Sequence, residues 1–302
     1  MNKHFVFVYG TLRRNEPNDF LLKDATLIAE QAWTYGEMYE TNDYYPVLFS
    51  SEEERVYGEL YAVTDEQLRK LDVLEGYKDE GENNLYDRHL QQVYTDTAVY
   101  EANVYVLHSN YETMKTNKIK YGDWKVHQLL KKEQPLSYFA FGSCMDQERF
   151  ELAKVDHYFQ RVKGRGVLEG YSLQFTYHVQ DGGRADLVED GGTAEGIVYE
   201  LPYAAIDYLF TREGVHTQSY RPAVVQLTCS EGVLIDVLTF LVIPKQPELA
   251  PPFHYAREIL RGGTGVLSEG YIQQVQKRFI EEFQVTGIAE YIETVAGKEV
   301  KK

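Results

Sequence analysis

Two glutamates occupy positions where an acidic side chain is poorly placed for structure alone. Thr64 precedes Asp65, Glu66 and Gln67, the spacing of a capping box, in which a hydroxyl and a carboxamide satisfy the first helical amides reciprocally. Leu68, Leu71 and Leu74 follow at helical spacing, and Gly76 is the expected stop, because glycine readily takes the left-handed conformation that ends helices. The pattern predicts a helix whose last residue is Glu75. A carboxylate there faces the negative end of the macrodipole, which costs roughly 0.3–1 kcal/mol at an exposed site. Glu213 repeats the arrangement immediately before Gly214. A lone helix-end glutamate is ordinarily a solvated side chain. Two in register mark a place where local design yields to function, and a raised pKa, useful to a general base, is the expected consequence.

A second pattern accompanies each glutamate. HFVFVYGTL and YFAFGSCM are apolar runs that break at aromatic-Gly-hydroxyl, namely Tyr9, Gly10 and Thr11 in one and Phe141, Gly142 and Ser143 in the other. Such a turn can offer backbone amides to a carboxylate, since glycine lets a ligand approach the chain closely. By itself it is an ordinary strand end, and its pairing with the glutamate is what makes it informative.

The elements that must position these groups occur twice. The turns are offset by 132 residues, whereas VYGELYAVTDEQLRKLDVLEGY and AEGIVYELPYAAIDYLFTREGV align at a constant 138, pairing Gly58 with Gly196, Tyr61 with Tyr199, Leu71 with Leu209 and Glu75 with Glu213. Tyr86 and Tyr220 follow at unequal distances. Each copy reads as strand, turn, variable hairpin, strand, helix and further strands. Alternating stretches such as VYGELYAV and GVLIDVLTFLVI point to an antiparallel sheet, partly or fully closed. The expected class is α+β: two tandem domains, each a small, mostly antiparallel barrel-like sheet with few lateral helices. They span 1–125 and 137–298, with a linker at 126–136 in the charged stretch that ends near Pro135, where KVHQLLKKE reads as a short helix before a break. The terminal EVKK reads as a frayed tail.

Composition agrees with two globular domains: 302 residues exceed the usual single-domain size, and 43% hydrophobic with 26% charged residues is ordinary for folded chains. The 25 Tyr and 14 Phe favour strands and pockets. A net charge of −16 argues against a nucleic-acid or anionic-membrane surface. Only Cys144 and Cys229 occur, which supports neither a disulfide framework nor a cysteine-rich metal site. No HExxH pair suggests zinc. The N-terminal apolar run is too short for a signal peptide, so a cytoplasmic location is the default. DGGRADLVEDGG lacks the lysine and spacing of a P-loop and reads as turns flanking a strand, SSEEER as a solvated loop, and Cys144 as a packing residue.

VYGTL, followed by LDVLEGY and YDR, resembles the gamma-glutamylcyclotransferase-like superfamily, in particular its short gamma-glutamylamine cyclotransferase-like members, with KYGDW matching their closing segment. YFAFGSCM, GGRADLVED, REGV and PPFHYAREILRGGTGVLSEGYIQQV resemble the longer gamma-glutamylcyclotransferase with its C-terminal helical extension. The resemblance implies a cofactor-independent enzyme, with no metal, that acts on small gamma-glutamyl substrates and releases 5-oxoproline. It puts the catalytic glutamate on Glu75 and Glu213, and the substrate loop on Tyr9, Gly10, Thr11 and Leu12 and on Tyr138, Phe139, Ala140, Phe141, Gly142 and Ser143. Tyr255 is implied as a substrate-lining residue, and Tyr86 and Tyr220 as pocket or packing tyrosines. The second copy departs from the family pattern at Phe141, usually tyrosine, and Cys144, usually asparagine, which points to altered specificity or a degraded site. Two other readings stay open: a gamma-glutamyl binding or regulatory module, and an enzyme that removes a gamma-glutamyl protecting group during biosynthesis. The leaving group is left open among amino acids, amines, the lysine side chain and glutathione.

Overall fold

Each copy of the repeat closes into a five-stranded barrel. The computed structural model describes residues 3–78 and 84–299, and the chain divides into two units, Met1–Lys131 and Lys132–Lys302. The first contains β1 (Lys3–Val8), β2 (Thr26–Tyr35), β3 (Glu37–Glu40), β4 (Pro46–Phe49), β5 (Arg55–Thr64), α1 (Asp65–Glu75), β6 (Tyr86–Tyr94), β7 (Val99–Leu107) and α2 (Trp124–Lys131). Its barrel runs β1-β5-β2-β6-β7 and closes through a parallel pairing of β1 with β7, while β3 and β4 form a separate hairpin.

The second unit contains β8 (Leu136–Ala140), α3 (Gln147–Leu152), β9 (Val162–Glu169), β10 (Ser172–Val179), β11 (Gly182–Val188), β12 (Thr193–Leu201), α4 (Ile206–Arg212), β13 (Tyr220–Cys229), β14 (Gly232–Val242), α5 (Phe253–Gly263), α6 (Glu269–Lys277) and α7 (Ile288–Glu299). Read from β8, its barrel runs β8-β12-β9-β13-β14, again closed by a parallel pair, with β10 and β11 as the side hairpin. The topology is that of the first unit strand for strand.

Register carries the repeat into space. Val6 lies opposite Tyr61 and Tyr138 opposite Tyr199, so the sequence offsets of 132 and 138 are the two sides of one cross-strand pair. Tyr86 opposite Leu107 and Tyr220 opposite Val242 align the two tyrosines in the same way.

β1 reads as an unbroken apolar run because both its faces are covered. Phe7 points into the barrel with Leu60 and Val104, whereas Val6 and Val8 pack in the layer that also holds Leu68 and Leu71 of α1. The paired glycines fit this crowding: a Cβ on Gly58 would lie 2.3 Å from the Val8 carbonyl oxygen, and one on Gly196 would lie 2.2 Å from that of Ala140. Each glycine lets β5 or β12 press against the strand that leads into the turn.

The expected linker at 126–136 is shorter in the structure. Residues from Trp124 to Lys131 form α2, whose Trp124 and Val126 are buried, and α2 belongs to the first unit. β8 begins at Leu136. All but Glu299 of the EVKK tail lies outside the described residues. Among the described residues, no helix is long and apolar enough to cross a membrane.

Both tryptophans of the chain, Trp33 and Trp124, lie in the first unit, so tryptophan emission reports its unfolding. Gly58→Ala is expected to lower that unit's stability by about 1–3 kcal/mol, the usual cost of overpacking, seen as a lower urea midpoint by tryptophan fluorescence.

Candidate active site

The predicted capping box forms. The Thr64 hydroxyl accepts from the Gln67 amide, and the Gln67 side chain accepts from the Thr64 amide. At the other end Gly76 is left-handed at φ 66°, so α1 stops one residue after Glu75. Leu68 and Leu71 are buried, but Leu74 is 41% exposed because it faces a cavity of about 470 Å³ and not the core. The same cavity is lined by Tyr9, Gly10, Thr11 and Leu12 of the turn, by Glu75, and by Tyr45, Tyr86 and Tyr105.

Burial alone pushes the Glu75 carboxyl up to about 7. The same burial raises the phenols of Tyr9 and Tyr86, and the nearby Glu75 charge adds to both shifts. Tyr9 is held in place because its hydroxyl donates to the Tyr105 carbonyl at 2.8 Å. Thr11 is held by Asn18, whose side-chain amide donates to the Thr11 hydroxyl at 3.0 Å.

In the second unit the corresponding groups line a cavity of about 320 Å³: Tyr138, Phe141, Gly142, Ser143, Glu213, Tyr220 and Tyr255. Phe139 and Ala140, also expected in the substrate loop, do not line it. They are fully buried in the barrel wall, since β8, like β1, is covered on both faces. Gly214 is left-handed at φ 61° and follows Glu213, which caps α4. Phe141 takes the place of Tyr9: the Phe7 and Tyr9 rings lie 6.4 Å apart at 34°, and those of Phe139 and Phe141 lie 6.3 Å apart at 34°. Tyr255 reaches from α5 to accept the Ala185 amide at 3.1 Å, and Tyr220 donates to the Ala185 carbonyl at 2.8 Å. Two tyrosines thus fix one backbone unit in the cavity wall.

The two glutamates differ in their company. The Cys144 thiol donates to Glu213 Oε1 at 3.0 Å, and the Arg212 guanidinium stands 3.6 Å from the same oxygen. Burial raises the Glu213 pKa, and Arg212 and the thiol pull it back. The thiol itself is pushed up to about 11 by burial, so Cys144 is a neutral hydrogen-bond donor at physiological pH and more than a packing residue. Arg212 also donates to Cys144 Sγ at 3.1 Å, to the Ser143 hydroxyl at 3.3 Å and to the Tyr208 hydroxyl at 3.1 Å.

Both turns are tied down by ion pairs whose aspartates are buried. In the first unit Arg13 Nη1 donates to Asp123 at 2.8 Å and its Nε to Glu59 at 3.2 Å, with Lys125 on Glu59 at 2.9 Å. In the second, Arg261 of α5 donates to Asp146 at 3.0 Å. The C-terminal segment of each unit is therefore locked to its own turn. Sequence reading did not find Arg13, Asp123, Asp146, Arg261 or Arg212. The first four are paired at separations above a hundred residues, and only the position beside the glutamate singles out Arg212.

A carboxyl whose folded pKa lies near 7 and whose unfolded value is near 4.5 weakens the fold as pH rises between them, because the unfolded state loses its proton first. Glu75→Gln removes this penalty. The variant is expected to exceed the wild type by up to about 3 kcal/mol at pH 8, with the gap closing toward pH 4.5. Urea midpoints by tryptophan emission across that range check it.

Known proteins share this architecture. The family model described as "Gamma-glutamyl cyclotransferase, AIG2-like" matches residues 6–126, and one described as "AIG2-like family" matches 193–275. A Bacillus subtilis (strain 168) protein named "Putative gamma-glutamylcyclotransferase YkqA" is 43% identical over 277 residues, covering 90% of this chain and 96% of its own length. The crystal structure of YkqA superposes with a TM-score of 0.83 at 40% identity, over 93% of this chain and 98% of that one. A Niallia circulans protein, "Gamma-L-glutamyl-butirosin B gamma-glutamyl cyclotransferase", is 36% identical over 125 residues, 41% of this chain and 77% of its own. The chain belongs to the gamma-glutamylcyclotransferase, AIG2-like family, with one unit of that family in each half.

Proposed function

We propose that the protein is a gamma-glutamylcyclotransferase that releases 5-oxoproline from gamma-glutamyl amino acids or amines, with Glu75 and Glu213 as the proton-transferring groups. The observation that carries this reading is a desolvated carboxyl with a pKa near 7, beside the Tyr9–Leu12 turn in one cavity of substrate size. A base with that pKa is half ionised near neutrality and can both take and return a proton.

The glutamate accepts a proton from the substrate's α-ammonium. The freed amine attacks the γ-carbonyl carbon, and the electron pair moves to oxygen. Collapse of the tetrahedral intermediate breaks the bond to the departing nitrogen, which takes the proton from the glutamic acid; the regenerated glutamate accepts the second proton from the new ring nitrogen and passes it to the departing amine, which leaves as an ammonium. Nucleophile and electrophile belong to one molecule, so holding the right rotamer supplies much of the acceleration, and the reaction as written consumes no cofactor. In the first unit the turn amides are the candidates to hold the α-carboxylate, with Tyr86 walling the acid. In the second unit Tyr220, Tyr255 and Ser143 wall the cavity.

The Niallia circulans relative is named for action on gamma-L-glutamyl-butirosin B, which favours the variant reading that the departing group is the amine of a biosynthetic product. Retention of a desolvated acid in both cavities weighs against the non-catalytic binding module.

Purified protein incubated with gamma-glutamyl amino acids, gamma-glutamyl amines and glutathione should release 5-oxoproline from at least one class. Glu75→Gln and Glu213→Gln should each lower the turnover of their own unit by about 10²–10⁴-fold, and the double variant should be inactive. In the Glu213→Gln background, kcat/KM should fall as pH drops below about 7, since the working base must be ionised. A profile flat from pH 5 to 8 would exclude Glu75 as that base.

A further inference from the structure

The constant offset of 138 that pairs Glu75 with Glu213 also pairs Leu74 with Arg212, and both of these side chains line the cavities. One position before the proton-transferring acid therefore carries an alkyl group in one unit and a guanidinium in the other. The rest of each lining agrees. In the first cavity the charged lining residues, among the described residues, are Asp43 and Glu75, both acids. In the second they are Arg149, Arg184 and Arg212 against Glu213. Arg149 is committed to Glu258 at 2.6 Å, and Arg184 to Asp181 at 2.6 Å. Arg212 instead rests on a thiol and two hydroxyls and stands 3.6 Å from Glu213, so its charge is the one directed at the reacting centre.

On the cyclotransferase reading above, we infer that Arg212 is the specificity-determining residue of the second site: it selects substrates whose departing amine carries a carboxylate, while Leu74 leaves the first site to substrates whose departing amine carries none. A guanidinium that gains a carboxylate partner in a partly enclosed cavity forms a charge-assisted hydrogen bond. The same carboxylate brought beside Leu74, Asp43 and Glu75 meets acids and an alkyl group, and loses its water without compensation.

Gamma-glutamylalanine and gamma-glutamylethylamide differ only by that carboxylate, so their kcat/KM ratio reads the selection. With Glu75→Gln isolating the second site, the ratio should favour gamma-glutamylalanine. Adding Arg212→Leu should lower kcat/KM for gamma-glutamylalanine at least about tenfold more than for the ethylamide, and Arg212→Lys should recover part of that difference. With Glu213→Gln isolating the first site, the ethylamide should be preferred, and Leu74→Arg should move the ratio toward gamma-glutamylalanine. Equal losses on both substrates in Arg212→Leu would overturn the inference while leaving the chemistry intact, since Arg212 would then hold only the glutamyl part common to both. If Arg212→Leu fails to fold, an unmoved ratio in Leu74→Arg overturns it. No 5-oxoproline from either substrate in the wild type would instead sink the cyclotransferase reading, and this inference with it.

Discussion

The chemistry proposed for both units depends on a carboxyl group that a helix end carries out of water. The helix must stop one residue later, because a further turn would swing the side chain away from the cavity, and the left-handed glycine at Gly76 or Gly214 enforces that stop. The helix must also be docked firmly, since an acid returned to solvent would regain an ordinary pKa. The units solve the docking differently. Asp72 of α1 accepts from Arg88 of β6 at 2.7 Å and from the Tyr105 hydroxyl of β7, also at 2.7 Å. The register places Phe210, Pro222 and Phe240 at these positions in the second unit, where the Phe210 and Phe240 rings meet edge to face at 5.7 Å. A polar triad has become an apolar one while the helix end stays where it was.

The same freedom shows around the acids. Glu75 has only burial to raise its pKa, whereas Glu213 has burial opposed by a guanidinium and a thiol donor. The barrel, the turn and the helix stop are held in common, and the residues beside the acid have diverged. This is the division expected when a scaffold is kept and its site is varied. Phe141 fits it as well: it keeps the ring geometry of Tyr9 and gives up the hydroxyl that in the first unit donates to the wall strand.

Much of this was legible in the sequence because it is local. A capping box, leucines at helical spacing and a terminal glycine specify where α1 starts and stops, and that alone exposes Glu75. Duplication supplied the second reading of each weak signal, so the closed barrel and its hairpin could be expected from alternation and self-similarity. What stayed hidden depends on distance or on facing. The charged stretch before Pro135 read as linker from 126, since nothing local reveals that Trp124 and Val126 are buried. Phe139 and Ala140 followed the family's loop, yet a strand covered on both faces keeps them in the wall. Cys144 read as packing because its partner Glu213 is 69 residues away.

The ion pairs that lock each turn have opposite polarity. In the first unit the turn brings the arginine, Arg13, and the C-terminal segment brings the aspartate, Asp123. In the second the turn brings Asp146 and the helix brings Arg261. Tandem domains of one ancestry are prone to exchanging equivalent segments while folding. Here such an exchange would set Arg13 against Arg261, or Asp146 against Asp123, leaving each buried charge beside a like one and without its partner, which is unfavourable. The charge reversal therefore has the character of an address label: it disfavours capture of the first unit's closing segment by the second turn, since each turn matches the charge of its own closing segment alone.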